Sequence, residues 1–305
     1  MNVLVVGLGS IARKHIIAMD HLEIKFKIYA LRSKLCIEEK NIKNIYSLNE
    51  LNIKLDFVII SNPTLYHKKT IIRLSSLKIP LFIEKPVLKD YKNVSDISSY
   101  LNKNKIISYV ACNLRFHPSI IFLKKYIDKY KPRINEVNVY CGSYLPNWRK
   151  NQNYKDSYSS HSNLGGGVHL DLIHEIDYCQ WIFGLPVKVN YLMRSVSSLD
   201  INSIDFSKYS LIYDNYTINI TLNYYRKDSK REIELITDDD TISINLLNNS
   251  VYSIQKNKFL FKRQFNIQET YNHQMKYFID NIKKNKKPMN NFDEGVNTLK
   301  IALNE

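Results

Sequence analysis

Three short stretches carry residue types that could do chemistry. "GLGSIA" (7–12) is a G-x-G-x-x-A run that follows an apolar stretch and opens a helical one. In that context Gly7 permits a tight turn and Gly9 lets a pyrophosphate approach the backbone. Ser10 and Ile11 then present amides at a helix N-terminus, where phosphate is stabilised. Ala12 takes the third glycine's place, where a small residue lets helix and strand pack closely. The second stretch is "ALRSK" (30–34), about 20 positions onward, where an acid would accept from a ribose 2′-hydroxyl and mark NAD. It holds no acid. Arg32 beside Ser33 suits a 2′-phosphate, so NADP is expected, with NAD the alternative if these are surface cations of a basic protein. The third stretch is Glu84-Lys85-Pro86, closing the apolar run "IPLFI". It is either a strand end that points Lys85 into a cleft or a solvated turn.

The elements that must position these residues follow from hydrophobic rhythm. Strand-like runs at 2–9, 25–33, 55–63, 79–86 and 106–114 alternate with helical spacing through Met19 and at 64–78. Such alternation predicts a parallel sheet covered on both faces. After about residue 115 the rhythm changes. A helix at 119–130 and a strand at 134–143 precede a polar, aromatic-rich loop at 144–163. A glycine-rich loop then leads into a helix that ends at Gly184. Period-two strands fill 187–262, and helices at 268–285 and 292–303 close the chain. The fold class expected is α/β: a Rossmann domain over 1–114, then an α+β domain over 115–305 with an open, mostly antiparallel sheet.

At 305 residues two domains are the natural division. No apolar stretch approaches the roughly 18 residues of a membrane span, and "MNVLVVGLGS" begins a strand without a signal-like n-region. Cys36, Cys112, Cys141 and Cys179 lie far apart without metal spacing and read as reduced thiols of a cytoplasmic protein. The net charge of +15 invites nucleic acid, but the lysines are dispersed, and the densest cluster, "IKKNKKP" (282–288), reads as a solvated helix end. An anionic small substrate fits that charge equally well.

Together with "SNPTLYH", "NLRFHP" and "GGGVHLDLIHEIDYCQWIFG", these pieces resemble, over nearly the whole chain, the glucose–fructose oxidoreductase / inositol dehydrogenase (Gfo/Idh/MocA) family. The resemblance implies an N-terminal Rossmann domain and a C-terminal domain whose open sheet carries the substrate face and often mediates oligomers, here a homodimer or homotetramer. It also implies that Lys85 lies beside nicotinamide and substrate and takes part in catalysis. Hydride leaves a carbinol carbon only as its hydroxyl proton departs, and a lysine near that oxygen can carry the proton. Glu84 would orient the lysine among the coenzyme contacts and Pro86 would hold the turn. Asn62, Pro63 and Thr64 would line the nicotinamide side at the third strand's end. His67 would be near the coenzyme or simply on a helix face. Asn113 and Arg115 would stand near the cleft between the domains as substrate contacts, Arg115 being otherwise a structural cation.

The family commonly places an Asp and a His four residues apart on the helix after the glycine run. Here Asp171 and His174 are three apart, a spacing that still returns to one helix face. The pattern resembles a branch found in bacterial surface-sugar pathways, with Ile173 where Ser is usual. His174 is the candidate general acid/base, and Asp171 would orient it or bind a sugar hydroxyl. His169 lies five residues from His174, off its face, and no metal is expected. "SYLPNWRKNQNYKDSYSS" (143–160) resembles the same branch. There Trp148 and Tyr158 offer faces for a sugar ring and Arg149 a fork for carboxylate or phosphate, unless this is an ordinary surface loop.

The function expected is an NAD(P)-dependent oxidoreductase moving a hydride between nicotinamide and a carbinol or carbonyl of a sugar or sugar derivative. The resemblance points to surface-glycan biosynthesis. The +15 charge, Arg115 and Arg149 point to an anionic sugar, nucleotide-linked or carboxylated. Two alternatives stand beside it: a redox-neutral dehydratase or glycosidase that uses bound NAD transiently, and a catalytically silent dinucleotide-binding protein. Intact Lys85 and His174 argue against the second.

Overall fold

The computed structural model describes residues 1–37, 39–149 and 151–304. In chain order the first elements are β1 (Asn2–Val6), α1 (Ser10–Asp20), β2 (Lys27–Leu31), β3 (Ile42–Ile45), β4 (Phe57–Ile60), α2 (His67–Ser75), β5 (Leu81–Ile83), α3 (Val94–Lys103) and β6 (Ser108–Val110). There follow α4 (Pro118–Tyr130), β7 (Ile134–Gly142), α5 (Val168–Asp171), α6 (His174–Phe183), β8 (Lys188–Arg194), β9 (Phe206–Ile212), β10 (Thr217–Asn223), β11 (Lys230–Thr237), β12 (Thr241–Asn245), β13 (Ser250–Ser253), β14 (Lys258–Lys262), α7 (Gln268–Lys283) and α8 (Phe292–Leu303). Two compact units result: Met1–Asn113 with Ile267–Leu299, and Leu114–Asn266 with Lys300–Glu305.

In the first unit six strands run parallel in the order β3-β2-β1-β4-β5-β6. The strand order reverses between β1 and β4, so the crevice beyond their carboxyl ends is the ligand-binding position of this topology. β4 and β5 are buried at every position, as strands covered on both faces must be. α7 belongs to this unit: Phe278 packs edge-on against Phe57 and Phe82, each with centroids 5.3 Å apart. The sequence reading assigns residues 115–305 to the second domain, whereas by contact Ile267–Leu299 returns to the first unit. β3 and α3 carry no sequence expectation. β3 is a four-residue edge strand, too short for a period to show. The helix expected at 64–78 is divided into a single 3-10 turn, Thr64–Tyr66, and α2.

The second unit is built on an eight-stranded sheet in the order β14-β13-β12-β11-β7-β10-β9-β8. Every pair is antiparallel except β7 with β10. Alternation assigns Val137, Val139, Ile218, Ile220, Ile233 and Leu235 to the buried face. The opposite face is polar and laced: the Asn219 amide donates to Glu136 at 2.8 Å, and Asn245 donates to Glu232 at 2.9 Å. The helix expected to follow the glycine run is broken. α5 ends at Asp171 and α6 starts at His174, because Leu172 leaves helical geometry (φ −98°, ψ 29°).

Candidate functional site

The two units contribute separate sets of candidate residues. In the first, β1 stops at Val6 and Gly7 turns the chain at φ +89°. A Cβ at Gly7 would lie 2.4 Å from the backbone nitrogen of Asn62, so neither the turn nor the close approach admits another residue. A Cβ at Gly9 would meet no atom within 4 Å, leaving open space above the loop where a second glycine admits a ligand. No side chain caps α1, and its first turn, Ser10 and Ile11 included, carries no acid. The amides there are therefore available to an anion. Ala12 is fully buried.

A cavity of about 730 Å³ opens at the strand ends. Gly7, Arg32, Ser33, Asn62 and Pro63 line it, as do Tyr46, Tyr66, Lys69, Thr70 and Arg73. Among the described residues its lining holds three cations, Arg32, Lys69 and Arg73, and no carboxylate. Arg32 Nη2 also donates to Cys36 Sγ at 3.0 Å, which holds the guanidinium at the end of β2. Lys69 and Arg73 escaped the sequence reading. Their spacing of four on the helix after "SNPT" was the available signal, because it returns both to one face. Asn62 donates to Thr70 Oγ1 at 2.8 Å, while its buried Oδ1 has no partner among the described residues. These features fit a dinucleotide: an uncapped helix start, open space at Gly9, an orphaned amide oxygen and cations where a ribose would otherwise meet an acid.

His67 does not join that lining. It is 1% exposed, with Nε2 2.9 Å from the Asn62 carbonyl and Nδ1 3.0 Å from that of Pro86. Burial holds its ring below the usual imidazole range, against the pull of these carbonyls. His67 therefore packs between the turn at Thr64 and the turn after β5, outside the cavity lining where a coenzyme contact was expected. At that second turn the Lys85–Pro86 peptide is cis and Lys85 is half-buried. Glu84 is buried: Oε2 accepts the Lys85 backbone N–H at 3.0 Å, and Oε1 lies 2.5 Å from His15 Nε2. Asn113 is buried and donates to Thr270 Oγ1 at 2.7 Å.

In the second unit the glycine run makes a fold that side chains would prevent. A Cβ at Gly166 would fall 2.1 Å from the Tyr158 carbonyl, and Gly167 stands at φ +134°. This seats Tyr158 beside Asp171, whose Oδ1 accepts from the Tyr158 hydroxyl at 2.7 Å and whose Oδ2 accepts from Tyr224 at 2.6 Å. Burial first, then the Asp171 charge, push both phenols up, so both stay protonated donors. Tyr224, a strand-end residue, was missed by the sequence reading. Trp148 donates to Ser143 Oγ at 2.9 Å and stands edge-on to Tyr224, with centroids 5.3 Å apart. The Arg149 guanidinium lies over the Tyr158 ring at 5.3 Å. His174 is half-buried at the first position of α6. It is not on one continuous helix with Asp171, which corrects the shared-face argument.

Arg115 is a further correction. It is 1% exposed; Nε and Nη2 donate to the two oxygens of Asp177 at 2.9 and 2.8 Å, and Trp181 lies 5.6 Å away. A guanidinium held this way anchors α6 instead of gripping substrate, so it no longer supports an anionic sugar. Glu175, fully buried, is likewise held by Arg231 at 2.6 and 3.1 Å. His169 is buried, and burial lowers its pKa to about 4. Among the described residues no cluster of His, Cys, Asp and Glu is arranged to hold a metal, and no helix is long and apolar enough to cross a membrane.

Comparison with known proteins agrees with this geometry. A protein of Bacillus subtilis (strain 168), described as the uncharacterized oxidoreductase YrbE, is 23% identical over 229 residues, which span 69% of this chain and 63% of that protein's length. Among solved structures, UDP-N-acetylglucosamine 3-dehydrogenase GnnA from Acidithiobacillus ferrooxidans matches 100% of this chain and 96% of its own at 16% identity, with a TM-score of 0.80. Levoglucosan dehydrogenase, in complex with NADH and levoglucosan, matches 99% and 95% at 15% identity, with a TM-score of 0.84. At such identities the likeness is one of fold. The model of the oxidoreductase family's NAD-binding Rossmann fold matches residues 1–112, and that of its C-terminal alpha/beta domain matches 131–304. With the second model alone matching more than half of its length, the chain belongs to the Gfo/Idh/MocA oxidoreductase family.

Proposed function

We propose that this oxidoreductase uses NADP(H) in preference to NAD(H) and interconverts a carbinol and a carbonyl on a sugar or nucleotide-linked sugar. The observation that carries the reading is the cavity at the ends of β1, β2 and β4, lined among the described residues by Arg32, Lys69 and Arg73 and by no acid, with Lys85 following β5. Gly7, Gly9 and the amides opening α1 would hold the pyrophosphate, and the three cations would meet a 2′-phosphate through charge-assisted bonds. When bound, the coenzyme supplies the hydride acceptor or donor.

Removing hydride from a carbinol carbon builds positive charge there unless the hydroxyl proton leaves with it. Lys85 takes that proton in oxidation and returns it to the carbonyl oxygen in reduction. His174 serves as the second acid/base group of the reaction. Asp171 accepts a sugar hydroxyl beside those of Tyr158 and Tyr224, as a carboxylate acts only as an acceptor when ionised. Two neighbours named above are dehydrogenases of UDP-N-acetylglucosamine and levoglucosan, and this supports the sugar class. Arg149, beside Tyr158, is the cation left to meet an anionic group, in keeping with a surface-glycan role.

The test follows the absorbance of reduced coenzyme with a panel of free, carboxylated and nucleotide-linked sugars, for the wild type and Lys85→Met. Turnover should fall on the order of 10²-fold or more in the variant while coenzyme binding is retained. Near-wild-type turnover of Lys85→Met would overturn the assignment.

A further inference from the structure

We propose that His15 is a positioning residue for Lys85, acting through the Glu84 carboxylate. The inference rests on the reading of Lys85 as the reacting lysine. His15 lies inside α1, the helix that opens at the phosphate loop, and is 0% exposed. Its Nε2 is 2.5 Å from Glu84 Oε1, and the other oxygen of that carboxylate accepts the backbone N–H of Lys85 at 3.0 Å. One buried carboxylate thus joins the helix beneath the coenzyme loop to the main chain of the lysine.

Packing alone does not account for a histidine here. The ring is enclosed by Phe82 at 4.7 Å and Tyr271 at 5.6 Å, both edge-on, and an apolar side chain would fill that space without burying a polar group. Removing an imidazole and a carboxylate from water is costly unless their geometry is used. The same turn is gripped on its other side by His67, which meets the Pro86 carbonyl. Lys85 is therefore bracketed by two buried imidazoles, one from α1 and one from α2. His15 controls the side that precedes the lysine.

Two amide variants separate positioning from packing. His15→Gln carries an amide nitrogen near the place of Nε2 and keeps the donor to Glu84. His15→Asn has the same chemistry but is too short to reach it. In the full chain without coenzyme, trace acetylation of Lys85, read by mass spectrometry relative to exposed Lys103, should change by roughly threefold or more in His15→Asn and match the wild type in His15→Gln. Unchanged labelling in His15→Asn, or an equal shift in both variants, would overturn the proposal. This readout needs no turnover. Wild-type turnover of Lys85→Met would thus defeat the function assigned above, whereas indifferent Lys85 labelling would defeat only the role of His15.

Discussion

The Arg115–Asp177 pair offers the sharpest separation between a residue that binds substrate and one that holds the fold. Both side chains are 1% exposed, and two hydrogen bonds of 2.9 and 2.8 Å join them. Asp177→Leu leaves a guanidinium buried without its counter-charge, and arginine cannot shed its proton to escape the cost. Breaking a buried pair in this way costs about 3–5 kcal/mol. For a unit of this size, at about 2–4 °C per kcal/mol, the melting temperature should fall by roughly 6–20 °C. Arg115→Met should cost less near neutral pH, because the stranded carboxyl can take up a proton. The double variant Arg115→Met/Asp177→Leu removes both charges and should recover most of the loss, with a coupling energy of about 2 kcal/mol or more. Thermal and urea unfolding followed by circular dichroism measure all four corners of the cycle. An Arg115→Met protein with wild-type stability and a raised KM would refute the reasoning and return Arg115 to the substrate.

Two further outcomes follow. His117 and His169, both in the second unit, have pKa values lowered to about 4 by burial, against about 6.5 when unfolded. The unfolded chain then binds more protons between those values, so stability is fully present above about pH 6.5 and is lost as pH falls toward 4. Urea midpoints should decline across that window, with a shallower slope in His117→Gln/His169→Gln; equal slopes would count against buried neutral rings. In the first unit, Lys69→Ala/Arg73→Ala should weaken NADPH binding about tenfold or more while changing NADH by less than about twofold, read by coenzyme fluorescence. Equal losses for the two coenzymes would show that these cations do not meet a 2′-phosphate.

The fold was legible where the chain speaks locally. "NVLVV" and "FVII" are continuous apolar runs because parallel strands are buried on both faces, and the alternation of "TINITLN" reports a sheet with one wet side. The glycine loop was legible because G-x-G-x-x-A between an apolar run and a helical one is a local pattern, although the backbone that crowds Gly7 is that of Asn62, far along the chain. What stayed hidden depends on partners distant in sequence. Nothing near Arg115 announces Asp177, nothing near His15 announces Glu84, and α7 packs on a sheet whose last strand lies far upstream. The break at Leu172 was hidden differently, because an apolar residue there suits a helix and a turn equally well.

That break gives "DLIHEID" its meaning. On one unbroken helix Asp171, His174 and Glu175 would share a face and crowd their charges together. With α5 ending at Asp171 and α6 starting at His174, each acid finds a different anchor. Asp171 meets two phenols, Glu175 meets Arg231, and Asp177 meets Arg115. The two arginine pairs fix the start of α6, Arg115 from a buried position and Arg231 from a half-buried one, and the phenols fix the end of α5. The short turn between Asp171 and His174 is thereby held from both sides. Positioning of this kind is what the roles proposed for Asp171 and His174 would require, because side chains that must meet a substrate within a fraction of an ångström cannot also supply their own support.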